Sequence, residues 1–120
     1  MKSLSIIITK PPFGMIHAAE AVRLANGAVA YGHDVSLILV DDGILVAKKE
    51  QRAENGGWTS LSPLIEKLAA SSSKKSKVLA DVQNARRIGL HQIDLVEGVK
   101  LVDSGIIAST ISASDRTAIF

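Results

Sequence analysis

Apolar residues in the first forty positions fall into three blocks with different periods. Leu4 to Ile8 is nearly continuous and rich in β-branched residues. Pro11-Pro12 ends that run, since proline has no amide to give to a sheet ladder. From about Gly14 to Ala30 the period becomes helical: Ala18, Val22, Ala25 and Val29 recur at i, i+4, i+7 and i+11, with His17, Glu20 and Arg23 as a polar stripe. Gly32 follows, where a left-handed C-cap is wanted. Val35 to Val40 reads Val-Ser-Leu-Ile-Leu-Val, the pattern of a parallel strand covered by helices on both faces. Strand, helix and strand make a βαβ unit.

The remainder is patterned more weakly. Ile44 to Lys48 predicts one or two helical turns, and residues 49–59, with Glu54-Asn55-Gly56-Gly57, predict a loop. Ser62-Pro63 reads as an N-cap followed by proline at the first helical position. The helix it opens turns Leu64, Ile65, Leu68 and Ala69 inward and ends near Ser71. Residues 71–77 read as a polar connector, Val78 to Ala80 as a third strand, and Asp81 to Arg87 as a short helix closed near Gly89. Ile93 to Glu97 gives another turn capped by Gly98, Val99 to Val102 a fourth strand, Ser104 to Ala113 a small helix and Thr117 to Phe120 a fifth strand. The alternation predicts an α/β fold: three-layer αβα, doubly wound, with a mainly parallel five-stranded sheet, in a single domain over residues 1–120.

Composition changes this picture in several ways. Hydrophobic residues are 47% of the chain and aromatics 3%, so the core is aliphatic. Ile93, Leu95, Val96, Ile106, Ile107 and Ile111 supply more aliphatic side chains than two short helices need, which points to subunit interfaces. Fourteen basic and twelve acidic residues give a net charge of +2, too balanced for a nucleic-acid partner. The one basic cluster, Lys74-Lys75-Ser76-Lys77, reads as a solvated loop without stacking aromatics. There is no cysteine, which excludes disulfides, thiolate zinc sites and cysteine nucleophiles. No apolar stretch approaches the ~20 residues of a membrane span, and the run after Met1 is too short for a secretory segment, so a cytoplasmic protein is expected.

Ligands of open parallel sheets bind outside the carboxyl ends of the strands. Those ends carry Thr9-Lys10, Asp41-Asp42-Gly43, Asp81 and Asp103-Ser104. Converging carboxylates suit a cation or a charged docking edge. The plainer account is that Asp42, Asp81 and Asp103 or Ser104 cap the helices that follow. Lys10-Pro11-Pro12-Phe13-Gly14 leads into a helix N-terminus that could receive an anion, but it lacks the spaced glycines of a nucleotide loop and two prolines remove amides. A rigid loop presenting Phe13 for packing is the alternative. His17 could face the crevice or sit on the surface beside Glu20; His17, His33 and His91 are not spaced as a metal set, and no cofactor is expected. Trp58 is placed either to meet a partner or to fold back on the domain. The ligand-binding candidates are therefore Lys10, Phe13, Gly14, His17, Asp41 and Asp42. Receiver domains share this architecture, but their acid pair follows the first strand, whereas Asp41-Asp42 follows the second.

Taken together, Lys10 to Gly14, Ala18 to Ala25, Gly32-His33-Asp34-Val35 and Leu39 to Ile44 with Ala47-Lys48 resemble the DsrE/DsrF family, which includes the TusC and TusD subunits of the bacterial sulfur relay. Ala85-Arg86-Arg87, Asp94 to Val99 and Ser114 to Phe120 continue the likeness nearly end to end. The resemblance implies a compact α/β subunit of dimers, trimers or hexamers, and a link to intracellular sulfur transfer in members that keep the family cysteine. It places that cysteine within Leu79-Ala80-Asp81-Val82, where this chain has none. A persulfide carrier needs a thiolate, so the chain looks closer to a non-catalytic DsrF or TusC type of subunit. It is expected to assemble with itself or with a cysteine-bearing relative. The alternative is a small-ligand-binding protein or enzyme using the strand-end crevice.

Overall fold

The structure is a computed structural model, and it describes residues 2–12, 16–49, 61–70 and 76–120. Phe13, Gly14 and Trp58, and with them most of the expected 49–59 loop, lie outside the described residues.

Five strands, β1 (Ser3–Ile8), β2 (Asp34–Leu39), β3 (Ser76–Asp81), β4 (Lys100–Val102) and β5 (Arg116–Ile119), form one sheet in the order β4-β3-β2-β1-β5. Every pairing is parallel, with Ile7 beside Ile38 and Ile119, and Ile38 beside Leu79. The helices are α1 (His17–Ala30), α2 (Ser62–Ala69), α3 (Val82–Arg87) and α4 (Ser104–Ala113). Two 3₁₀ segments, Asp41–Ala47 and Gln92–Asp94, complete the described elements.

From β1 to β4 the chain steps in one direction, so right-handed crossovers set α1, α2 and α3 on one face. It then jumps back past β1 to β5, which puts α4 on the other. Side chains alternate along each strand, and the packing follows that alternation. Ile6, Ile8, Leu37, Leu39, Val78 and Ala80 pack with Ala18, Val22, Ala25, Ile65, Leu68 and Ala85. Ile7 and Ile38 pack with Ile107 of α4.

The expected stripe of α1 is buried at Ala18, Val22 and Ala25. Val29 only reaches the edge of the core, and Ala21 and Ala28 fill the seam instead. Gly32 has φ 89°, the left-handed cap its position predicts. Three expectations need correction. Ser76 and Lys77 belong to β3, not to a connector: Ser76 is buried, and its hydroxyl donates to the Leu68 carbonyl at 2.7 Å, so a polar residue satisfies the strand locally. Leu61, not Ser62, takes the N-cap position of α2. The turn before β4 is a 3₁₀ turn at Gln92–Asp94, with Leu95 already bridging to Lys48.

Candidate functional site

The site is built where strands meet the segments that follow them. After β2, Val40 takes the N-cap position of the 3₁₀ segment and no side chain caps it, so Asp42 is not a cap. Gly43 lies against the end of β1, where a Cβ would overlap the Ile8 carbonyl. That contact drives Ile44, Val46 and Ala47 into the core across the strand ends. The amides of Lys49 and Val96 donate to Asp94 and Ala47 carbonyls at 2.8 Å and fasten the segment to the turn before β4.

Asp41 enters this segment with φ 50°, a left-handed conformation that aspartate tolerates better than most residues. Its amide donates to Oδ1 of Asn84 on α3 at 2.8 Å. Its carboxylate stands 3.8 Å from Arg87, with both side chains more than half exposed, so the ion pair contributes at most about 1 kcal/mol. Asn84 thus ties the end of β2 to the helix after β3. Sequence reasoning missed it, because a side chain reaching a backbone group forty-three positions away has no periodic signature.

Asp81 is the N-cap of α3: Oδ1 accepts from the amides of Gln83 at 2.9 Å and Asn84 at 3.0 Å. Asp103 does the same for α4, accepting from Ile106 at 2.9 Å. The capping account of these two carboxylates is the one the geometry supports. In the four-residue stretch where the family cysteine would fall, Leu79 and Ala80 are buried in the sheet, whereas Asp81 and Val82 are half-buried. An accessible nucleophile could therefore stand only at the last two positions.

The sheet reverses its strand order between β1 and β5. There Thr9 closes the carboxyl edge, its amide and hydroxyl both donating to the Phe120 carbonyl at 3.0 and 2.8 Å. Lys10 follows, exposed, and His17 opens α1, half-buried. Asp41 and Asp42 follow β2, the neighbour of β1, and Asp41 is drawn toward Asn84 and Arg87 of α3. Among the described residues, no three His, Asp or Glu side chains are grouped to hold a metal ion. A cavity of about 280 Å³ lies at the opposite, amino ends of the strands, lined by Ser3, Ser36, Lys77, Thr110 and Ser114 among others.

An all-parallel sheet with three helices on one face and one on the other, its strand ends held by side-chain caps, defines a small α/β fold. The chain belongs to the DsrE/DsrF-like family, whose sequence pattern matches residues 2–118. An uncharacterized protein of Methanocaldococcus jannaschii is 33% identical, over 97% of both chains. The intracellular sulfur oxidation protein DsrF of Allochromatium vinosum is 27% identical over 100% of this chain and 97% of its own. The crystal structure of the ychN protein from E. coli covers both chains completely, with a TM-score of 0.87 at 19% identity, a likeness of fold. Among the described residues, no helix is long and apolar enough to cross a membrane.

Proposed function

We propose that the protein is an accessory subunit of a cytoplasmic sulfur-transfer assembly, made of copies of itself or built with a cysteine-bearing relative, and that it carries no sulfur. The reading rests on one pairing: a family match across residues 2–118 in a chain without a cysteine. In a relay, an acceptor thiolate attacks the sulfane sulfur of a donor persulfide. The old S–S bond breaks, a new one forms, and the donor leaves as a thiolate. This chain has no such acceptor. At the start of α3 the amides of Gln83 and Asn84, donors that would favour a thiolate, already serve the Asp81 carboxylate. The kinship with DsrF supports the sulfur context. Exposed Ile93, Ile106 and Ile119 support a role in assembly.

The test mixes the purified chain with a cysteine-bearing member of the family and a persulfide donor. Co-elution with that member or a multiple of 12.7 kDa alone, a changed transfer rate, and no sulfur added to this chain are expected. A monomer that neither binds the relative nor alters transfer refutes the reading. Asp81→Cys sharpens it: the variant should gain one sulfur atom by intact mass, because the new thiol stands at the amides that now hold the carboxylate.

A further inference from the structure

The face of the sheet under α4 changes character from one row of side chains to the next. Near the carboxyl ends, Ile119, Ile7, Ile38 and Leu79 stand side by side across β5, β1, β2 and β3. One row toward the amino ends, the same strands present Thr117, Ser5, Ser36 and Lys77. Ser5 in that polar row is fully buried, and the last turn of α4, with Thr110 and Ser114, borders the cavity of about 280 Å³ that opens there. A hydroxyl has one proton to give. Thr110 donates its own to the Ile106 carbonyl at 2.8 Å, and Ser114 to the Thr110 carbonyl at 2.9 Å. Ser3 donates to the Asp115 carboxylate at 3.2 Å. Ser5 is bonded to Ser114, whose proton is already used, so Ser5 is the donor of that pair. What this wall keeps for the cavity is lone pairs. Asp34 lines the cavity too, and α4 ends beside it at Ala113 with its negative pole. Lys77 and Ser36 form the opposite character: no described residue engages the ammonium or the Ser36 hydroxyl, and among the described residues Lys77 and Asp34 make no ion pair.

We propose that this cavity binds a small zwitterion, a molecule carrying a protonated amine and a carboxylate. The amine donates to the oxygens of Ser3, Thr110 and Ser114, with the Asp34 carboxylate supplying the opposite charge. The carboxylate accepts from the Lys77 ammonium and the Ser36 hydroxyl. β1 and β3 are two strand spacings apart, about 10 Å, and the lysine stem spans part of that distance, which leaves room for a short aliphatic chain between the two charges. The same accounting rules against simpler ligands. A plain anion would meet Lys77 but set its other oxygens against lone pairs and Asp34. A plain amine would leave Lys77 and Ser36 unanswered. The volume lies near the lower end of small-molecule pockets, which suits a ligand of metabolite size. The cavity stands at the strand ends opposite to Asp81, Lys10 and Asp41, so it is a separate site from the carboxyl-end crevice, and it does not rest on the sulfur-transfer reading.

The test uses γ-aminobutyrate, butyrate and butylamine, which share a four-carbon chain and differ in the charges they carry. Each is titrated into the unmodified protein near neutral pH and followed by amide NMR shifts. γ-Aminobutyrate should move Ser36, Lys77, Thr110 and Ser114 together, with a dissociation constant in the millimolar range, and bind roughly tenfold tighter than either single-charge probe. Lys77→Met should remove that advantage and leave butylamine binding unchanged. Thr110→Val should weaken γ-aminobutyrate and butylamine severalfold and leave butyrate unchanged. Lys77 is exposed and Thr110 half-buried, so both variants should keep the circular dichroism of the parent. If either misfolds, the three probes on the unmodified protein carry the test. Butyrate binding as tightly as γ-aminobutyrate, with shifts confined to Lys77, would reduce the site to a surface lysine attracting an anion and overturn the proposal. So would the absence of any shift with all three probes.

Discussion

The two faces of the sheet are unequal. Under α1, α2 and α3, apolar side chains from β1, β2 and β3 are sealed by three helices and by the 3₁₀ segment at Ile44–Ala47. Under α4 the packed cluster is Ile7, Ile38 and Ile107, with Val40, Val102 and Ile111 partly covered and Leu79 buried beside Ile38. On that side Ile119 remains 70% exposed on the edge strand. One chain order produces both results: three successive crossovers in one direction stack three helices, and the single return leaves one helix to cover a five-stranded sheet. Stability is therefore expected to concentrate on the first face, and surface left for partners on the second.

The strongest test of that asymmetry places a charge in the full face. Val22 is completely buried between α1 and the sheet, and Val22→Asp strands a carboxylate without a partner. A loss of about 3–5 kcal/mol in denaturant unfolding is expected. Retention of wild-type stability would mean that α1 does not pack as described.

Adjacent residues of β1 allow a matched comparison, because Ile8 points into the full face and Ile7 into the thin one. Ile8 is 0% exposed and Ile7 8%. Truncating isoleucine to alanine in a core costs about 2–5 kcal/mol, more where surrounding groups cannot relax into the gap. Ile8→Ala should fall near the upper end and Ile7→Ala near the lower. Equal losses, measured at concentrations where the protein is monomeric, would erase the distinction.

Capping sets the next scale down. Removing the Oδ1 acceptor at the start of α4, in Asp103→Ala, should cost about 1 kcal/mol. Because α4 alone covers its face, hydrogen exchange should quicken at the amides of α4 before it changes in β1 or β2. Uniform quickening would show that α4 unfolds only with the whole molecule.

The same inequality explains what could be read from the sequence. On the full face each element keeps one period long enough to see, so β1, α1 and β2 were legible from Leu4 to Val40, and Gly32 marked the turn between them. Asp81 and Asp103 were legible as caps because an N-cap is a local rule. Ser76 and Lys77 were not legible as strand: Ser76 is held by a carbonyl of α2, and Lys77 opens the thin face, where polarity is tolerated. The 3₁₀ segment hid its start because Asp41 depends on Asn84, and Gly43 on the approach of Ile8. At the candidate site, residue types were visible from the sequence. That the segments after β1 and β2 lie side by side depended on strand order, which no local pattern encodes.

The smallest expected effect tests how the last strand is held to the edge of the sheet. Asp115, just before β5, accepts from the Ser3 amide at 2.9 Å and the Ser3 hydroxyl at 3.2 Å, while its own amide donates to the Ser3 carbonyl at 2.9 Å. The Ser3 amide, then the Ser3 hydroxyl, hold its carboxyl below the ordinary value of 3.8 against an opposing cost of desolvation, with Lys2 and Arg116 adding smaller effects in the same direction as Ser3. A carboxylate whose value falls on folding stabilises the native state above its unfolded value, and that contribution disappears as pH drops through the folded one. Acidification below about pH 4 should therefore loosen β5 first. In Asp115→Asn this part of the pH dependence should vanish, leaving a flatter stability profile in acid and a slightly lower stability at neutral pH. The group is exposed, so the change is small and needs the variant and the parent titrated side by side by chemical unfolding. Identical acid slopes in the two proteins would show that the Ser3–Asp115 clasp does not hold the strand.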